Sequence, residues 1–244
     1  MMKTEINNSI LSEFIGRLRA IHDEARINVS ETGFEIKMID PANVALISIE
    51  LSSQSFESFS ADESEIGIDL EKLADYISAA GKNDIIKLSI EEGSSKLKVA
   101  FDGFEYEVAL LDPSTVKQAP RIPNLDLTAQ VCVPTKEIYT VIKASEKLED
   151  HICITIDSAK QILSTLSAKE TTTLNAEIGM DKLISAPIGD GKAMYSLDYL
   201  ADIFKSIKNK ETTIKLDSDK PIIIESQFDE YSSSSFMLAP RIES

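Results

Sequence analysis

The chain has 244 residues, 43% of them hydrophobic, which is enough for one large domain or two of roughly 100–150 residues with true cores. Its 25 basic and 41 acidic residues leave a net charge of −16, so it is not a broadly basic nucleic-acid binder, and any DNA contact must come from locally gathered positive charge. No apolar run approaches the roughly 18–20 residues of a membrane span, and two cysteines, Cys132 and Cys153, suggest no disulfide framework. Both cysteines stand among alternating apolar residues and read as buried free thiols. The opening Met1-Met2-Lys3-Thr4-Glu5 lacks the charged-then-apolar design of a signal peptide, so the cytoplasm is the expected compartment.

In chain order, Ser9 to His22 places Ile10, Leu11, Phe14, Ile15, Leu18 and Ile21 on one helical face. Alternating or β-branched segments follow at Arg26–Val29, Phe34–Lys37 and Val44–Leu51, with a turn at Thr32-Gly33. The acidic run Asp62-Glu63-Ser64-Glu65 reads as solvated loop. Leu70 to Ala80 is a second helix, with Leu70, Leu73, Ala74 and Ile77 inward and Gly81 as its stop. Strands are predicted at Ile85–Ile90, Lys96–Phe101 and Tyr106–Leu111, turning at Glu92-Gly93 and Asp102-Gly103. Asp112 to Asn124 carries Pro113, Pro120 and Pro123 and reads as an extended connector. Ile122 in that exposed stretch leaves two readings open, a plain linker or a docking strap.

The second half begins with a strand at Ala129–Val133. Thr135 to Leu148, introduced by Pro134, is a third helix on Ile138, Val141, Ile142 and Leu148. Strands are predicted at Ile152–Ile156, Ile162–Leu166 and Thr171–Ile178, and Gly189-Asp190-Gly191-Lys192 reads as a turn. Ser196 to Ile207 is a fourth helix, and strands follow at Thr212–Leu216 and Pro221–Glu225.

The halves repeat. A shift of 127 (197 − 70) carries Leu70, Leu73, Ala74, Asp75 and Ile77 onto Leu197, Leu200, Ala201, Asp202 and Phe204. The same shift carries Leu11, Phe14, Ile15 and Ile21 onto Ile138, Val141, Ile142 and Leu148. Two helices per copy cannot cover both faces of a large sheet. An α+β fold is expected, with two tandem similar domains and helices on one face of antiparallel sheets.

No catalytic or metal constellation is legible. The two histidines, His22 and His151, stand apart from any nucleophile, no ligand cluster has zinc spacing, and no complete phosphate loop occurs. Catalytic residues, metal and cofactors are therefore expected to be none. On the third helix, Lys136, Thr140, Lys143 and Lys147 form one stripe opposite Ile138 and Ile142. Taken alone, that stripe is either a solvated face or a phosphate-facing one.

Four stretches together resemble the proliferating cell nuclear antigen family of sliding clamps, archaeal type. They are Ile39-Asp40-Pro41-Ala42-Asn43-Val44-Ala45-Leu46, Leu70 through Lys87, Ile122-Pro123 in the connector, and the terminal Leu238-Ala239-Pro240-Arg241-Ile242-Glu243. Their order and spacing agree along the whole chain. The resemblance implies clamp domain 1 at 1–111, an interdomain connector at 112–129 and clamp domain 2 at 130–244. It implies a homotrimeric ring closed by pairing edge strands, here Tyr106–Leu111 with Thr171–Ile178 of the next subunit. The ring would encircle double-stranded DNA topologically and independently of sequence. It would act as processivity factor for DNA polymerase and as docking platform in DNA replication and repair.

DNA-facing residues by this resemblance are Arg17, Arg19, Lys136, Lys143, Lys147 and Lys205. The chain departs from the family's basic pattern at Ser12, Glu13, Asp75, Ser78, Thr140 and Asp198, so fewer phosphate contacts are implied. Clamp loader, polymerase, nucleases and ligase would dock through a short apolar peptide motif. Its pocket would comprise Ile39, Val44, Leu46, Ile122, Pro123, Pro221, Met237, Leu238, Ala239, Pro240 and Ile242. The alternatives kept open are a subunit of a heterotrimeric or checkpoint-type clamp and, more remotely, a metal-dependent enzyme on the same scaffold.

Overall fold

Alternating burial begins at the second residue: Met2, Thr4 and Ile6 turn inward and form β1 (Met2–Asn7), a strand not expected from the sequence. The computed structural model describes residues 1–120 and 125–242. The chain divides into two compact units. Unit 1 is Met1–Pro120 with Gln227–Ser234, and unit 2 is Arg121–Ser226 with Ser235–Ser244.

Unit 1 runs β1, α1 (Asn8–Arg19), β2 (Glu24–Ser30), β3 (Gly33–Ile39), β4 (Ala45–Ser52), β5 (Ser58–Ala61), β6 (Ser64–Asp69), α2 (Leu70–Ile77), β7 (Ile85–Ile90), β8 (Lys96–Phe101) and β9 (Phe104–Ala109). One antiparallel set is ordered β5-β1-β7-β8-β9, the other β4-β3-β2-β6. Phe34, Ile36 and Met38 of β3 are buried while Glu35 and Lys37 are exposed, the pattern of a sheet covered on one face. Phe14 of α1 meets Phe34, which packs edge-on against Phe56 and Phe59.

Unit 2 repeats the plan as β10 (Ala129–Pro134), α3 (Thr135–Ser145), β11 (His151–Asp157), β12 (Ile162–Lys169), β13 (Thr172–Gly179), β14 (Gly191–Ser196), α4 (Leu197–Ser206), β15 (Glu211–Leu216), β16 (Ile222–Gln227) and β17 (Ser233–Leu238). Its strands are ordered β10-β15-β16-β17 and β13-β12-β11-β14. The ladder Met2↔Ile90 through Asn7↔Ile85 in unit 1 becomes Ala129↔Leu216 through Pro134↔Glu211 in unit 2.

The helices share one device for starting. Each first amide donates to a backbone carbonyl of a distant loop: Asn8 to Asp84, Leu70 to Asp23, Thr135 to Lys210 and Leu197 to Asp150. This satisfies a donor that a helix N-terminus otherwise leaves open. Asn7 and Asp69 add side-chain caps to α1 and α2, whereas α3 and α4 have none and rely on the backbone bond. In each unit the two helices pack on one another.

Several strands were hidden by composition. The acidic run ends in β6, where Ile66 and Ile68 are buried and Glu65 takes a two-pronged hydrogen bond from the Arg26 guanidinium. The glycine turn at 189–192 leads directly into β14. Gly189 has φ +65°, and a Cβ there would lie 2.1 Å from the Thr128 carbonyl oxygen, so glycine alone fits. The last strand of unit 1 stops at Ala109, and Leu111 forms only an isolated bridge to Gly67. Both cysteines are free as expected, but Cys132 is only half-buried.

Candidate functional site

The lysine row is real as a surface feature. Lys136, Lys143 and Lys147 are exposed on and just past α3, while Ile138 and Ile142 are fully buried on the opposite face. Lys143 pairs with Glu146 at 2.5 Å, whereas Lys136 and Lys147 make no ion pair among the described residues. Lys205, in the last turn of α4, is also exposed. Exposed Lys210, outside any helix, sits beside the row because its carbonyl receives the Thr135 amide at 2.9 Å. Helical periodicity could not register Lys210, since a loop residue has no face to be assigned to.

On α1 the expectation divides. Arg19 is exposed and pairs with Asp23 at 3.1 Å. Arg17, read as flanking the outward face, is instead wholly buried, and this corrects its assignment as DNA-facing. Its guanidinium donates to Glu13 at 2.6 Å, Ser234 Oγ at 2.6 Å and the Gln227 carbonyl at 2.8 Å. It also lies 3.7 Å above the Phe228 ring. Burial pushes the Arg17 pKa down, and the Glu13 carboxylate opposes that shift by its charge and hydrogen bond. The segment it grips, Gln227–Ser234, comes from the second half of the chain but belongs to unit 1. That segment is held again where Ser232 Oγ meets the Ser52 amide at 2.9 Å and Ser55 Oγ at 2.5 Å. No sequence pattern marks such a partner, more than two hundred residues away.

The loop between β3 and β4 is built on Asp40, which is 2% exposed. Its carboxylate accepts from the amides of Ala42 at 2.9 Å, Val44 at 2.7 Å and Ala45 at 2.7 Å. Asn43 takes φ +59°, a conformation that asparagine tolerates. Ile39 and Val44 are half-buried on either side of this loop, and Leu46 is nearly covered at 7%. The start of the expected connector is not extended. Asp112 accepts from the Ser114 amide and hydroxyl, Thr115 closes a turn back to the Asp112 carbonyl, and Val116 is buried. Those bonds hold the Asp112 carboxyl below its usual pKa.

In unit 2, Pro221, Met237, Ala239 and Pro240 are half-buried, and Ile242 is 87% exposed. Leu238 is fully buried at 0%, so it offers no surface to a partner; it is a core residue of β17, which corrects its place in the expected pocket. The Arg241 amide donates to the Met194 carbonyl at 2.7 Å and anchors the chain just before Ile242. Ile122 and Pro123 lie outside the described residues.

The strands expected at ring closure are edge strands. β9 ends one sheet of unit 1 and β13 one sheet of unit 2. Exposed apolar side chains lie on or beside them: Phe104 on β9, Leu166 opposite Asn175 of β13, and Met180 just past β13. Among the described residues no three His, Cys, Asp or Glu side chains group as metal ligands, and no helix is long and apolar enough to cross a membrane.

Two copies of one α+β unit, each with a helix pair and an unpaired edge strand, define the class of two-domain clamp subunits. The sequence profile of the proliferating cell nuclear antigen N-terminal domain matches residues 1–110. A protein named DNA polymerase sliding clamp in Methanosarcina mazei is 39% identical over 246 aligned residues, covering 100% of both chains. The A. fulgidus proliferating cell nuclear antigen, solved with the C-terminal region of FEN-1 bound, superposes with a TM-score of 0.93 at 30% identity, covering 100% of both chains. The clamp of Thermococcus kodakaraensis superposes at 0.91 with 22% identity, covering 99% of this chain and 100% of that one, a likeness of fold. The chain belongs to the proliferating cell nuclear antigen family.

Proposed function

We propose that the protein is a DNA sliding clamp, a cytoplasmic ring of three identical subunits that encircles duplex DNA and keeps the replicative polymerase on its template. Full-length similarity to a protein named DNA polymerase sliding clamp carries this reading. The ring does no chemistry. It is a processivity factor and a docking platform for clamp loader, nucleases and ligase in replication and repair. Pairing of β9 with β13 of the next copy closes the ring and removes the open edges, burying exposed apolar residues such as Phe104 and Met180.

Inside the ring, Arg19, Lys136, Lys143, Lys147 and Lys205 face the phosphates, and Lys210 joins them. A small set of contacts suits a ring that must move along DNA. Retention comes from topology, and each lysine on a phosphate releases about one counterion, so fewer contacts leave the ring free to slide. Contact with the backbone alone carries no sequence preference. Partner peptides with an aliphatic residue and two aromatics dock on Ile39, Val44 and Leu46 of unit 1. In unit 2 they dock on Pro221, Met237, Ala239, Pro240 and Ile242, with Ile122 and Pro123 of the connector completing the set.

Native mass measurement and DNA retention test this reading together. The expected results are three copies per assembly, retention on closed circular DNA after loading, and release when the circle is cut. A mixed mass with other subunits would favour a heterotrimeric clamp. A monomer at micromolar concentration, or equal retention on linear and circular DNA, would end the sliding-clamp reading.

A further inference from the structure

Three oxygens from one loop converge on a cation that the loop does not own. Lys117 Nζ donates to Asn43 Oδ1 at 2.7 Å, to the Asp40 carbonyl at 3.0 Å and to the Pro41 carbonyl at 3.2 Å. An ammonium has three protons, so this arrangement uses its full donor capacity. The loop is thereby held from two sides. The Asp40 carboxylate organises the amides of Ala42, Val44 and Ala45 from within, and Lys117 collects the outward-turned oxygens. The base of Lys117 is itself fixed, because the adjacent Val116 is 5% exposed and Asp112 closes the turn that precedes it. All of these residues belong to unit 1.

We infer that Lys117 is the positioning residue of the partner-docking loop: its ammonium presets the loop Asp40–Val44, and so Ile39 and Val44, for an apolar peptide side chain. The inference rests on the docking role proposed above for Ile39, Val44 and Leu46. A loop ordered before binding does not have to be ordered during it, and apparent affinity scales with the competent fraction. Neutralising Lys117, by substitution or by acylation of its amine, removes the converging donor and spreads the loop over more conformations. The three oxygens that Lys117 binds belong to Asp40, Pro41 and Asn43 and not to the docking set Ile39, Val44 and Leu46, so its effect is on the readiness of the surface and leaves its composition unchanged.

The test uses the full chain and a synthetic peptide carrying one aliphatic and two aromatic anchors. Lys117→Met keeps the stem and removes the charge, and Lys117→Arg keeps the charge and the donors. Lys117→Met is expected to weaken the peptide roughly tenfold, the loss that follows if one loop in ten stays competent. It is also expected to speed hydrogen exchange at the Val44 and Ala45 amides without changing native mass or DNA retention. Lys117→Arg is expected to restore most of both. Unchanged amide exchange in Lys117→Met overturns the latch whether or not the peptide binds. Faster exchange with unchanged peptide affinity overturns the positioning role, as does equal weakening by Met and Arg. A native chain that does not bind the peptide at all overturns the docking reading itself and the inference with it, a result seen before any variant is made.

Discussion

Replacing Arg17 by methionine is expected to destabilise the protein without touching its DNA contacts. The methionine keeps the apolar stem but removes the hydrogen bonds to Glu13, Ser234 and Gln227 and the stacking on Phe228. Glu13, whose side chain is 13% exposed, is left without its guanidinium. Hydrogen bonds to a charged group contribute about 1.5–3 kcal/mol each relative to water, but the cost of drying two ions can cancel the gain of a buried pair. The net value of the whole arrangement is therefore small, while the loss on breaking it from one side is large. Removing one partner of a buried pair costs about 3–5 kcal/mol. For a chain of this size each kcal/mol moves the melting temperature by about 2–4 °C, so a fall of roughly 10 °C is expected at fixed protein concentration.

The double variant Arg17→Met/Glu13→Met should recover more than about 1 kcal/mol of that loss, since the carboxylate that loses its guanidinium is removed with it. Differential scanning calorimetry of native, single and double variants measures all of this. A single variant melting within about 2 °C of native, or a double variant no better than the single, refutes the reasoning. The salt dependence of DNA binding provides the complementary reading. A phosphate-contacting arginine would change its slope by about 0.9 when removed, and Arg17→Met should leave it unchanged.

Three further outcomes are expected. Lys136→Gln/Lys147→Gln should lower the slope of log affinity against log salt by about 1.8 for duplex DNA, with unaltered ring mass, and a slope equal to native would remove α3 from the DNA surface. Ile242→Asp should abolish most peptide binding, at least about tenfold, with no change in melting temperature, because Ile242 is 87% exposed and supports no core. For pH, burial would raise the Asp69 carboxyl, but the side chain and amide of Lys72 outweigh it and hold its pKa below the ordinary value. Its contribution is therefore present above the unfolded carboxyl value, about pH 4, and is lost as pH falls through the lower folded value. Asp69→Asn keeps an N-cap acceptor, so the acid limb of its stability curve should be flatter than native; an identical acid limb would show that the cap carries no linkage.

The duplication was legible in the sequence because it rests on local periodicity. The four helices, their inward faces and the lysine stripe on α3 follow from spacing of three and four residues, and each starts within a residue or two of its expected position. Strands with clear alternation, such as Lys96–Phe101 and Ile85–Ile90, were equally readable. Those that failed did so for a shared reason. β5, β6 and β17 are short or rich in serine or acid, β14 opens on a glycine and β1 has a threonine among its inward positions, so each alternates weakly and is a strand through its pairing.

Charge followed the same division. Sequence alone determined which residues of α3 share a face, because a helix repeats every 3.6 residues. It could not determine the fate of a single cation, which depends on what the chain brings to it from far away. Arg17 and Arg19 lie two positions apart on one helix, yet one is solvated beside Asp23 and the other is walled in by Ser234, Gln227 and Phe228. Lys117 shows the same in reverse: an ordinary lysine in a proline-flanked connector gains its role from oxygens more than seventy residues earlier. Periodic burial is a property of neighbouring residues and survives in the sequence; the partner of a buried or bridging charge is a property of the folded chain and appears only there.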